Sequence, residues 1–274
     1  MKLLRSQWSF LAIALISICL LTGGFWWWNR GDHPSTLRNT EGHLALGNPS
    51  NANRDENNYL LIKTQYISSY NNTKHIPNWV SWKLTANDIG TVPRRNDFTQ
   101  DETLPKGWLR VKSTDYSGSG YDRGHMCPSA DRSANVEDNT ATFILTNIIP
   151  QARDNNQGPW AKLEDYTRDQ VKLGQEAYIV SGGYGQKGVL PKGKIAIPAH
   201  TWKVIVFAES GSKGAASVTE KTRIIAVDLP NDEGIKQNKW QQYQTTVRDL
   251  EQKTGYDFLS TVSKELQDKL EIKQ

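Results

Sequence analysis

The chain has 274 residues, 37% hydrophobic and 23% charged, with 21 Gly and 11 Pro spread along it, which excludes a collagen, a coiled coil and wholesale disorder. Its formal net charge of +4 overstates its basicity, because Lys2, Arg5 and Arg30 lie in a stretch without acids and residues 31–274 carry only +1. Attraction to a polyanion must therefore come from local charge and not from a bulk field.

Residues 1–30 read as a signal peptide or a signal anchor. Lys2 and Arg5 form a positive start, and Trp8 to Trp28 is a run of 21 residues without a charge. As a helix it would span ~31 Å, about the hydrocarbon thickness of a bilayer. Two outcomes fit. Thr22-Gly23-Gly24 supplies small residues for cleavage, whereas an uncleaved anchor would hold Trp26, Trp27 and Trp28 at the membrane interface. Either way the body is expected to be exported, secreted or periplasmic, or anchored in the membrane through residues 8–28. Residues 31–57 are rich in Asn, Asp, Gly, Ser and Thr and read as a polar tether and domain start, leaving 58–274 as one domain.

From Tyr59 onward the pattern is strand-like. Tyr59–Ile62 and Trp79–Trp82 are short runs bounded by Asn, Gly and Pro. Phe143–Leu145, Tyr178–Val180, Val204–Phe207 and Ile224–Val227 read as buried central strands. Helices are expected over Trp160–Leu173, whose apolar positions Trp160, Leu163 and Val171 keep the helical period up to Gly174, and over Gln241–Gln252 and Thr261–Leu270. Strands and helices mix without βαβ regularity. The class is therefore α+β, a central and mainly antiparallel sheet flanked by helices.

The chain has five histidines, none paired at i, i+4, and no CxxC, which argues against any standard zinc site. The glycine clusters Gly118-Ser119-Gly120 and Gly182-Gly183-Tyr184-Gly185 lack the Lys-Ser/Thr ending of a phosphate loop and read as turns. Cys127 reads as a small buried residue. It is a poor nucleophile for His125, since loop residues two apart seldom orient one toward the other. His125 itself stands in Tyr121-Asp122-Arg123-Gly124-His125-Met126-Cys127-Pro128. It is either a plain surface-loop histidine or a neutral base. In the second reading Gly124 lets the chain bend, so that His125 and Arg123 approach one phosphate while Asp122 anchors the turn.

Downstream, Asn156, Trp160, Glu164 and Arg168 fall at successive i+4 positions, which drift only ~40° each and form one stripe on a helix. The plainer alternative is a capping Asn156 and a Glu164–Arg168 surface pair worth ~0.3–0.5 kcal/mol.

Together these elements resemble the DNA/RNA non-specific endonuclease family, the sugar-nonspecific branch of the ββα-metal nucleases. The resemblance rests on Asp122-Arg123-Gly124-His125 with Pro128-Ser129-Ala130-Asp131, on Asn147-Ile148-Ile149-Pro150-Gln151 leading to Asn156, and on Leu163-Glu164-Asp165-Tyr166 with Arg168. It spans roughly residues 45–262. It implies that His125 is the general base and that Asn156 is the only direct protein ligand of a catalytic Mg²⁺, for which Mn²⁺ substitutes. It further implies that Glu164 holds water around the ion, that Arg94, Arg123 and Arg168 contact phosphate or steady transition-state charge, and that Asp122 supports the site. Arg94 is chosen over Arg95 because Phe98 then falls in register.

The implied reaction is hydrolysis of DNA and RNA, single- or double-stranded, to 5′-phosphate and 3′-hydroxyl ends. Phosphate contacts are blind to sequence, so little sequence preference is expected. Activity should fall as His125 protonates below about pH 6–7. A protein inhibitor is a candidate partner that the sequence does not decide. The competing class is an exported nucleic-acid-binding scaffold without turnover. Its mark would be loss of His125 or Asn156, and both are present.

Overall fold

The strand signals assemble into an eight-stranded antiparallel sheet in the computed structural model, which describes residues 41–274. The leader and the first part of the polar tether lie outside the described residues. In sheet order the strands are β1 (Arg54–Asp55), β2 (Asn58–Ile62), β3 (Ile67–Asn71), β4 (Ile76–Leu84), β7 (Gln175–Tyr184), β10 (His200–Glu209), β11 (Ile224–Pro230) and β12 (Gln244–Thr245). Two hairpin-like pairs stand apart: β5 (Asp122–His125) with β6 (Ile148–Gln151), and β8 (Gly188–Val189) with β9 (Ala196–Ile197). The helices are α1 (Val136–Ala141), α2 (Ala161–Lys172), α3 (Val247–Thr254) and α4 (Lys264–Leu270).

Both faces of the sheet are covered, so its central strands are apolar on alternate positions in both directions. On one face Trp82, Ile179, Ile205, Phe207 and Val227 pack against Ile148 and Ile149 of β6 and Leu163 and Val171 of α2. On the other, Trp79, Val180, Trp202, Val204 and Val206 pack against Val247 and Leu250 of α3, Phe258, Leu259 and Leu270. The first face carries the candidate site and the second is closed by the C-terminal helices. Residues 41–57, read from sequence as tether and domain start, contribute buried Leu46 and Ala52, the latter fixed by its N–H donating to Asn48 Oδ1 at 2.8 Å.

Four expectations differ from what is observed. Gly182 and Gly183, read as part of a turn, lie inside β7, paired with Trp202 and Thr201 of β10, where a Cβ would meet Asn78 O and Pro198. Phe143–Leu145 is not a strand: the chain leaves α1 through turns, with Phe143 N–H donating to Thr140 O, and only Ile144 bridges to Thr99. Its apolar run is there because Phe143 and Leu145 are buried, which period alone cannot distinguish from strand pairing. The helix expected over Gln241–Gln252 begins only at Val247, where the Thr246 hydroxyl caps Asp249 N–H at 3.0 Å, while Gln244–Thr245 pair with β11. The last helix starts at Lys264 rather than Thr261. Among the described residues no helix is long and apolar enough to cross a membrane.

Candidate active site

The pair β5–β6 and helix α2 form a ββα unit laid on the sheet. His125 faces Ile148 and Asp122 faces Gln151 across the pair. Past His125, Asn147 holds the chain: its amide donates to Cys127 O and Thr142 O, both at 2.8 Å, and its Oδ1 accepts Cys127 N–H. Gly124 does not make a bend. It lies within β5, where a Cβ would come 2.1 Å from Gln151 Oε1 and 2.6 Å from Gln151 Cβ. Glycine is needed because Gln151 closes over the strand, and Gln151 in turn donates to Asn155 Oδ1 at 2.5 Å. Gly124→Ala should therefore lower stability by ~1–3 kcal/mol through overpacking, read as a drop in urea midpoint at constant m-value.

Between β6 and α2 the chain makes a short helical turn, Arg153–Asn155, and then a wide π-type turn, Asn156–Trp160. Gly158 leaves helical dihedrals (φ −108°, ψ −116°), and a Cβ there would come 2.7 Å from Lys236 Cα, so only glycine fits. The even i+4 stripe from Asn156 to Arg168 is thus interrupted: Trp160 is buried in the core, and Asn156 stands off the α2 register.

His125 is buried, and its Nε2 has no hydrogen-bond partner. Phe143 meets its ring edge-on at 4.8 Å and Phe98 lies 5.4 Å away. The same two rings carry the arginines, with Arg94 over Phe143 at 5.1 Å and Arg123 over Phe98 at 4.5 Å. Burial, reinforced by the Arg94 and Arg123 charges, holds the imidazole down at about 3. A ring held down in this way is neutral near pH 7 and able to accept a proton.

Asn156 is oriented by Asp122. Its Nδ2 donates to Asp122 Oδ2 at 3.0 Å, beside Gln157 Nε2 at 2.9 Å on the same oxygen. A carboxylate accepts only from the NH₂ end of the amide, so Oδ1 of Asn156 is left as a free acceptor. Glu164 lines the same cleft; its Oε1 takes Lys203 Nζ at 3.2 Å. Burial pushes its carboxyl up, against the pull of Lys203 and Arg168.

Arg168 is turned elsewhere, held by Asp131 at 2.8 Å and Asp165 at 2.5 Å, and is not among the residues lining the cleft. Arg95 pairs with Asp97 at 3.2 Å, whereas Arg94 is in the cleft wall. Cys127 is fully buried and burial pushes its thiol well up, so it stays protonated and unreactive.

These groups surround one open cleft of about 760 Å³, lined by Arg94, Phe98, Asp122, Arg123, His125, Arg153, Asn156, Gln157 and Glu164. The imidazole from β5 and the amide from the turn before α2 thus face one space. Free oxygen donors, Asn156 Oδ1 with the neighbouring carboxylates, suit a hard cation that keeps most of its water. No three His, Cys, Asp or Glu ligand atoms gather in the cleft. Among the described residues such a group occurs only at Glu251, Asp257 and Glu271, near the C-terminus, so a cleft ion would depend on few protein ligands.

Sequence reasoning missed Arg153, whose guanidinium lies 3.7 Å from Asp122, and also Gln157 and Lys203. Lys203 had a legible signal: one charge inside the apolar run Trp202 to Phe207.

The profile of the DNA/RNA non-specific endonuclease family matches residues 45–265. The chain is 49% identical over 234 residues to a nuclease of Nostoc sp., covering 84% of this chain and 85% of that one. It is 31% identical over 216 residues to the mitochondrial nuclease EXOG of Danio rerio, covering 74% of this chain but spanning only 61% of that relative. A crystal structure of EndoG in complex with EndoGI superposes with a TM-score of 0.71 at 25% identity, covering 86% of this chain and 96% of that one. A ββα unit on an antiparallel sheet, with an imidazole and an amide oxygen lining one cleft, is the architecture of a metal-dependent endonuclease. The chain belongs to the DNA/RNA non-specific endonuclease family.

Proposed function

We propose that this chain is an exported endonuclease that hydrolyses phosphodiester bonds in DNA and RNA with Mg²⁺, or Mn²⁺ in its place, leaving 5′-phosphate and 3′-hydroxyl ends. The observation that carries the reading is the neutral His125 ring lining the same cleft as the free acceptor of Asn156. The His125 imidazole takes a proton from the attacking water. Arg94 and Arg123, held on their aromatic rings, receive the non-bridging phosphate oxygens. Asn156 Oδ1, with Asp122 fixing its amide, and Glu164 would hold the divalent ion and its water, which when bound offsets the charge growing on the leaving oxygen. Because water and not a 2′-hydroxyl attacks, both sugars are substrates.

Arg94, Arg123 and Arg153 give the cleft its positive charge although residues 31–274 carry only +1, so binding should weaken steeply with salt. Export rests on the charge and length pattern of residues 1–30, with membrane anchoring as the alternative to cleavage, and sequencing the mature N-terminus decides between them. A protein inhibitor would have to cover this same cleft. Digestion of supercoiled plasmid and of RNA with Mg²⁺, and its abolition by EDTA, is the expected result. Undiminished digestion in EDTA would refute the metal role.

A further inference from the structure

Lys203 is a fully buried lysine in the middle of β10, between strands β7 and β11 of the sheet. Its neighbours Trp202 and Val204 face the C-terminal helices, while Ile205 and Phe207, on its own side, face the ββα unit. Its ammonium therefore crosses the core toward α2. There it lies 4.1 Å from the Trp160 ring centroid and 5.7 Å from that of Trp82. Its one ion pair among the described residues is with Glu164, Nζ to Oε1, at 3.2 Å.

A cation in this position is costly for the fold, since a buried ammonium loses its hydration and needs a partner. A methionine would fill the same space without that cost. The charge has a geometric effect instead. Lys203 claims Oε1 of Glu164, while Oε2 has no hydrogen-bond partner and is not among the buried orphaned atoms, so it faces the cleft that Glu164 lines. Trp160, at the end of the wide turn that starts with Asn156, is clamped by the same ammonium. One buried charge thus ties the sheet both to the carboxylate and to the turn that delivers the amide.

We propose that Lys203 is a positioning residue that locks Glu164 with one oxygen anchored and the other presented to the divalent-ion site. The proposal rests on the function read above. It acts through Glu164, so its contribution should vanish when Glu164 can no longer be held as a carboxylate.

The test is a Mn²⁺ titration by calorimetry on full chains carrying His125→Ala, which removes turnover from the readout. Lys203→Met should weaken Mn²⁺ binding by ~10-fold or more, and should change it by less than about twofold in a chain that also carries Glu164→Gln. Unchanged affinity in Lys203→Met, or an equal loss in the Glu164→Gln background, would overturn the proposal. A merely structural lysine would lower the melting temperature in both backgrounds and leave the affinity alone. Should Lys203→Met not fold, Lys203→Gln, which keeps a donor without the charge, is read by the same titration with the same two outcomes. Asn156→Ala in the same series separates the two readings. Mn²⁺ binding that it fails to weaken counts against the cleft as the ion site, whereas a response to Asn156→Ala but not to Lys203→Met counts against Lys203 alone.

Discussion

His125→Ala is expected to lower kcat on plasmid DNA and on RNA by about 10²–10⁴-fold, the range for loss of a general base, while the chain stays folded. Both substrates should lose activity together, because the base acts on water and never on the sugar. The fold survives because the β5–β6 ladder and the Asn147 bracket do not use the imidazole. The void left between Phe98 and Phe143 should cost some melting temperature, and circular dichroism reads that separately from rate.

The pH profile carries the same claim. Since burial and the two arginines hold free His125 at about 3, kcat/KM should stay flat through pH 6–7, with its acid limb below about pH 5. A bound phosphodiester anion acts against Arg94 and Arg123 and raises the value, so the limb in kcat should lie at higher pH than the limb in kcat/KM. A kcat/KM midpoint near 6.5 would show a solvated ring instead. The stability effect has the matching sign. The unfolded chain takes up this proton from about 6.5 downward, the folded chain only near 3, so His125 lowers stability as pH falls through that window and not above it.

Asn156→Ala is the second large effect. It removes the acceptor that Asp122 keeps turned to the cleft, and both kcat and the apparent affinity for Mg²⁺ should fall, by about 10–100-fold or more. Saturating Mg²⁺ should restore only part of the rate. A variant with full rate and an unchanged Mg²⁺ requirement would remove Asn156 from the ion's surroundings.

Much of the site was legible because its residues lie in two short segments whose chemistry is unusual as a string: Asp122 to His125, and Asn156 to Glu164. The central strands Tyr178–Val180, Val204–Phe207 and Ile224–Val227 were legible for a different reason, since doubly covered strands must be apolar on both faces. What escaped was set by partners distant in sequence. Phe143–Leu145 has the composition of a strand, but its apolar residues serve burial: Phe143 packs edge-on against His125 and Leu145 lies in the core. Gly124 looks like a hinge until Gln151 is seen above it, and at Gly158 the Lys236 backbone leaves no room for a side chain. The i+4 stripe from Asn156 to Arg168 ran across Gly158-Pro159, a break in the sequence that the even spacing hid. Arg168 was grouped with the phosphate contacts by the family resemblance, yet its guanidinium is held by Asp131, whose other oxygen accepts the Trp82 indole at 2.9 Å.

The most direct measurement is the anomalous signal of Mn²⁺ in crystals of the His125→Ala chain soaked with a short DNA strand. Coordination distances for such an ion are about 2.0–2.2 Å. The account predicts one strong peak at that distance from Asn156 Oδ1, with a phosphate oxygen in its shell and residue 125 on the opposite side of that phosphorus. A peak at Glu251, Asp257 and Glu271 with the cleft empty, or a phosphate bound with no metal near Asn156, would contradict it.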